Sequence, residues 1–166
     1  MFRGFKRQEP EPGQESVWDY PRPPRVEKTD KRLRVVFNGV VIADTHNAYR
    51  VLETSHPPTY YFPRDDVKME YFDPTSRSTI CEFKGVASYW QITVGDKTEV
   101  NAAWSYSRPH KDFEVIRDAI CFYPSKMDAC YVGDEQARAQ DGDFYGGWIT
   151  SNIVGPFKGG PGTMLW

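Results

Sequence analysis

Residues 87–104 read ASYWQITVGDKTEVNAAW, and the Gly95-Asp96 pair at their centre decides how this chain folds. Two runs of alternating polar and apolar residues flank a dipeptide suited to a tight turn, the pattern of a two-residue β-hairpin. Such a loop pairs Val94 with Lys97, Ile92 with Glu99, Trp90 with Asn101, Tyr89 with Ala102 and Ala87 with Trp104. Side chains alternate across a strand. One face then carries Ala87, Tyr89, Gln91, Val100, Ala102 and Trp104, with Tyr106 continuing it. The other carries Trp90, Ile92, Val94, Glu99, Asn101 and Ala103. Both faces hold a tryptophan. Small Ala87 and Ala102 beside large rings leave room for a flat molecule, and an ordinary interdigitated core is the competing reading.

The same grammar extends outward. Asn38-Gly39 between LRVVF and VVIAD is a strong hairpin signal, because a type I′ turn needs positive φ twice. YRVLET, TYYF, KMEYF and STICEFK read as further short strands bounded by Pro, Gly, Asp or Ser. DFEVIRDAI spaces Phe113, Ile116 and Ile120 by three and four, which predicts one short amphipathic helix. Many short strands with turns between them indicate an all-β barrel or sandwich.

Composition divides the chain in three. Residues 1–30 form a Pro-rich N-terminal arm (EPEPG, YPRPPR), extended because proline fixes φ and lacks a donor; Trp18 and Tyr20 predict that part of it docks. Residues 31–133 are the β domain. Residues 134–166 are a Gly/aromatic strap, read as an ordered cover over the domain or as a homodimer contact.

The 166 residues carry a net charge of −2, a mixed distribution that argues against a general nucleic-acid binder. Mean hydropathy is −0.65, and no run approaches the roughly 20 apolar residues of a membrane span. The opening MFRGFKRQEPEPG lacks the apolar core of a secretory leader, so a soluble, cytoplasmic protein is expected. Three cysteines (Cys81, Cys121, Cys130) suggest neither a disulfide framework nor a zinc site. Phosphate-loop, dinucleotide, nucleophile-elbow and zinc-protease motifs are absent, so no cofactor or metal is expected.

The candidate chemistry gathers in ETSHPPTYYFPRDD, residues 53–66. His56 is extended because it precedes a proline, and Pro57-Pro58 stiffen the lead into Tyr60 and Tyr61. His56 reads as a base or a hydrogen-bond donor, with Glu53 beside it. Cys81 is a thiol nucleophile if a cation or base approaches it and a buried hydrophobe otherwise. Alternation puts Glu82 and Lys84 on the opposite face of that strand. Asp65 and Asp66 diverge within a turn opened by Pro63.

At VLETSHPPTYYFPRDD, CEFKGVASYW and NAAWSY the chain resembles a widespread bacterial, fungal and plant family, a domain of unknown function numbered four hundred and twenty-seven. The resemblance runs from about Trp18 to Val132, and DFYGGWITSNIVGPFKGGPGT looks like the ending of its longer members. It implies a β-tent-like fold, a pair of antiparallel sheets meeting at an angle. Some groups of that fold hold zinc with paired cysteines, which this chain lacks; others hold flat ligands in a cage of tryptophans. The nucleotidyltransferase label sometimes given to the family has no matching metal-carboxylate pattern here.

The expected function is binding of an unidentified small planar or cationic molecule in an aromatic pocket. Glu53, His56, Tyr60, Tyr61, Lys84, Tyr89, Trp90, Trp104 and Tyr106 are the expected ligand-binding set. The alternatives are an enzyme using His56 or Cys81, and a non-catalytic dimerisation module.

Overall fold

The computed structural model describes residues 6–142 and 144–166. Met1–Phe5, where the reading of no leader begins, and Asp143 of the strap lie outside the described residues. The chain is mainly β and builds three principal antiparallel sheets. Among the described residues no barrel closes, and no helix is long and apolar enough to cross a membrane.

The first sheet contains the hairpin of Gly85–Val94 and Lys97–Ser105, with Phe72–Cys81 on one edge and Cys121–Phe122 on the other. The second joins Leu33–Phe37 to Val40–Thr45, Ala129–Val132 and Glu135–Gln136. Its Asn38-Gly39 turn has both φ values positive, 46° and 76°, as a type I′ turn requires. In the third, Tyr49–Leu52 lies between Arg25–Lys28 and Thr59–Tyr61. Arg25–Lys28, part of the arm by composition, is thus a sheet strand. KMEYF is not a strand along its length; Met69–Tyr71 forms a 3-10 turn and extension begins at Phe72.

The hairpin register holds near its turn, with Val94 opposite Lys97 and Ile92 opposite Glu99. Beyond that it departs from the regular ladder. Tyr89 faces Trp104 and Trp90 faces Ala103, because Val100, Asn101 and Ala102 together bulge opposite Gln91. Asn101 takes φ 55°, and its Oδ1 accepts the Thr75 hydroxyl at 2.6 Å. Asparagine tolerates this left-handed conformation better than most residues do. The bulge sends Ala102 to the opposite core from Trp104, correcting its expected face, while Val100 remains half exposed.

Both faces of this sheet are buried, which explains why each holds a tryptophan. Trp90, Ile92 and Val94 pack toward Leu33, Val35, Phe37 and Ile42 of the second sheet. Ala87, Tyr89, Trp104 and Tyr106 meet Val51 and Tyr61 of the third. The expected helix is a six-residue 3-10 segment, Lys111–Ile116, interrupted at Phe113; Phe113, Ile116 and Ile120 are all buried.

The C-terminal segment is tied into the body. Trp148 is fully buried between Tyr60 and Phe62, and its indole donates to the Phe122 carbonyl. Glu15–Ser16 pairs in parallel with Ile153–Val154, and the Trp18 indole donates to the Pro156 carbonyl at 2.9 Å. The arm therefore docks through Trp18 and the buried Tyr20, as their apolar rings require.

Candidate functional site

Between the aromatic face of the first sheet, the third sheet and the C-terminal segment lies a cavity of about 290 Å³. Its apolar side is fixed by strand alternation. Tyr89 and Trp104 stand opposite one another across the hairpin. Tyr61 reaches in from the third sheet and accepts the Trp104 indole N–H at 3.3 Å. The Tyr61 ring lies 6.4 Å from Trp104 and 6.3 Å from Tyr106. Burial drives the phenols of Tyr61, Tyr106 and Tyr123 well above the usual tyrosine range, so they are neutral hydrogen-bonding groups.

The polar side begins at the Glu53–His56 turn. Ser55 has φ 73°, and the His56 N–H bonds the Glu53 carbonyl at 3.0 Å, which brings both side chains to the cavity. Outside contacts brace this turn. The Ser55 N–H bonds the Val17 carbonyl, and the Lys158 N–H bonds the Ser55 carbonyl.

The His56 ring is held by Gln140. The Gln140 Oε1 accepts the Gly147 N–H at 3.1 Å, so its amide nitrogen must be the donor to the Lys158 carbonyl at 2.6 Å and to His56 Nδ1 at 3.2 Å. This network assigns Nδ1 as an acceptor and leaves the proton on Nε2, 3.8 Å from Glu53 Oε2. Burial, then the positive charges of Lys158, Arg22 and Lys84, pushes the His56 pKa down to about 3. His56 and Glu53 are therefore a neutral donor beside a carboxylate, not an ion pair. Arg22 approaches that carboxylate at 3.6 Å.

Lys84 enters from the turn between Phe72–Cys81 and Gly85–Val94. Glu82, Phe83 and Lys84 belong to this turn, so the expected alternation, with Glu82 and Lys84 together on the face opposite Cys81 and Phe83, does not apply, and all four line the cavity. His110 braces the turn: its N–H bonds the Lys84 carbonyl at 2.9 Å, and its Nδ1 lies 2.7 Å from the Phe83 carbonyl. Cys81 also lines the cavity and is half-buried, whereas Cys121 and Cys130 are sealed in the core.

Of the residues singled out by sequence, Glu53, His56, Tyr61, Cys81, Lys84, Tyr89, Trp104 and Tyr106 meet at this one cavity. Tyr60 and Trp90 do not. Tyr60 follows the strand alternation opposite to Tyr61 and packs on Trp148, its phenol pushed up to about 12 by burial. Trp90 lies on the other face of the first sheet, under the Arg64 guanidinium at 5.1 Å, with its indole bonded to Ser105 Oγ. Asp65 and Asp66 lie in a separate 3-10 turn, where Asp66 accepts the Thr45 hydroxyl.

Sequence reasoning missed Gln140, Tyr145 and Lys158, which close the cavity from the C-terminal segment. The readable signal was Gly146-Gly147. A Cβ on Gly146 would stand 2.3 Å from Trp104 Cη2, and one on Gly147 would stand 2.6 Å from Gln140 Oε1. Two adjacent glycines between aromatics mark a chain laid directly on a ring and an amide.

The sequence model of a family described as Domain of unknown function (DUF427) matches residues 25–133, well over half of the chain. No curated protein matches the chain.

Proposed function

We propose, from the premise that the chain belongs to the family described as Domain of unknown function (DUF427), that its cavity binds a small planar molecule. The observation that carries this is the division of one 290 Å³ space into a wall of neutral rings and a rim of few, oriented polar groups. Tyr61, Tyr89, Trp104 and Tyr106 supply the wall. The His56 Nε2–H, the Glu53 carboxylate and Lys84 supply direction. Ligand sites commonly combine apolar burial with a small number of placed polar groups. Their usual volumes start near about 300 Å³, so a one- or two-ring compound suits the space.

The cationic alternative has less support. Arg77 already lies over the Tyr89 ring at 4.9 Å, Lys158 lies 5.8 Å from the Tyr145 ring centroid, and Arg22 accompanies Glu53. A ligand cation would compete with the protein's own. Screening uncharged aromatic fragments by tryptophan-fluorescence quenching tests the planar reading. Binding that disappears in T59W, designed to fill the cavity from the third sheet, is expected; fragments that bind wild type and T59W equally would overturn it.

A second reading rests on Cys81, the one cysteine of the three at the cavity. It makes the site that of a thiol enzyme. Native-state alkylation followed by mass spectrometry is its test, with modification at Cys81 alone as the expected result. An unmodified Cys81 removes the thiol reading. His56 is a poor general base in this arrangement, because Gln140 occupies one ring nitrogen and the proton the other.

A further inference from the structure

The charged residues that line the cavity, Glu53, Glu82, Lys84 and Lys158, differ in what holds them. Glu53 has Arg22 at 3.6 Å, and Lys158 Nζ reaches the Trp166 carbonyl oxygen at 3.3 Å. Lys84 differs: it is half-buried at the cavity, yet among the described residues no hydrogen bond or ion pair joins its ammonium. Exposed Glu82 on the same turn forms no pair with it. The charged groups lining this space are thus Lys84 and Lys158 with Glu53 and Glu82, while Arg22 stands beside Glu53 and His56 is neutral and presents an N–H. Lys84 is the half-buried one of the two lining charges without a protein partner among the described residues, and an anion supplied by a ligand would give its ammonium a charge-assisted hydrogen bond.

We infer that the molecule bound here is a planar monoanion, an aromatic or heteroaromatic carboxylate, whose acidic group is held by Lys84 while its ring lies along the Trp104 and Tyr106 wall. This rests on the planar-ligand reading above and adds the charge of the ligand and the residue that recognises it. The His56 Nε2–H is a second donor on the same side of the cavity, and its neutrality at working pH keeps it available without adding charge.

The test uses the full chain and three probes with one ring and different charge: benzoate, benzamide and benzylamine. Calorimetry is expected to show benzoate bound about tenfold more tightly than benzamide, and benzylamine most weakly, the scale of one charge-assisted hydrogen bond. K84M is expected to abolish the preference, so that benzoate and benzamide bind this variant equally, and K84R to retain it, with circular dichroism showing both variants folded. Benzamide or benzylamine bound as tightly as benzoate would overturn the anionic assignment and leave the planar cavity standing. A benzoate preference that survives in K84M would overturn the role given to Lys84. Binding of none of the three would overturn the planar-ligand reading itself, and this inference with it.

Discussion

His56 shows how one side chain's protonation is set by its neighbours. Its pKa of about 3 lies below the ordinary value of 6.5, because burial and three cations disfavour the imidazolium. The unfolded chain takes up this proton as pH falls through 6.5 while the native state stays neutral, so acidification destabilises the fold. The slope approaches about 1.4 kcal/mol per pH unit, giving a loss of about 2 kcal/mol between pH 6.5 and about pH 5. The lowered carboxyls of Glu15, Asp44 and Asp128 act in the same sense only at lower pH, where their unfolded forms protonate. Urea midpoints measured across that window should fall in the wild type and stay nearly flat in H56Q. A His56 proton resonance that titrates near neutrality would contradict the assignment. Gln140 is the other half of this device. Q140L strands the Gly147 N–H and the Lys158 carbonyl, a loss of roughly 1–3 kcal/mol for a buried polar group left unpaired, readable in the same urea experiment.

Among the elements, the hairpin of residues 85–105 and the Gly146-Gly147 turn decide the cavity together. Asn38-Gly39 and Gly95-Asp96 were legible because turn chemistry is local, and alternation then assigned Tyr89, Trp104 and Tyr106 to one side. The bulge at Val100–Ala102 was not legible, since an unpaired insertion depends on what the partner strand and Thr75 offer. Tyr60 and Trp90 entered the candidate set through the motifs that contain them, and neither lines the cavity; for Trp90 the alternation had already given the face opposite Tyr89 and Trp104. Gln140 and Lys158 were missed because a lone amide and a lone lysine gain meaning only from distant contacts. G146A tests the close packing of the turn on Trp104. Its methyl would overlap the indole, so the segment must lift, at a cost of roughly 1–3 kcal/mol. A lower thermal midpoint and altered tryptophan emission are expected; unchanged values of both would show that the turn does not press on the ring.

For the molecule as a whole, the C-terminal segment is part of the structure it covers. Trp148 is fully buried with Phe62 and Phe122, and removing it leaves a void of indole size in the principal core. A chain ending at Gly133 is therefore expected to lose cooperative urea unfolding and to expose apolar surface to a hydrophobic dye. Retention of a sharp transition would show that the three sheets stand alone. The sequence divided arm, domain and strap by composition, but their joining through Glu15–Ser16 with Ile153–Val154, and through Trp18 with Pro156, is a long-range pairing that composition cannot express.

The cavity's polar anchor, Gln140, and its closing residues Tyr145, Gly146 and Lys158 all follow the three sheets in the chain. During synthesis the ring-lined floor must therefore emerge from the ribosome before its roof. A nascent chain passes through a stage with Trp104 and the neighbouring tyrosines uncovered, and gains its roof only when Gln140, Tyr145, Gly146 and Lys158 have come back across them. The complete lining is thus acquired late, and its presence marks that the C-terminal segment has found its place.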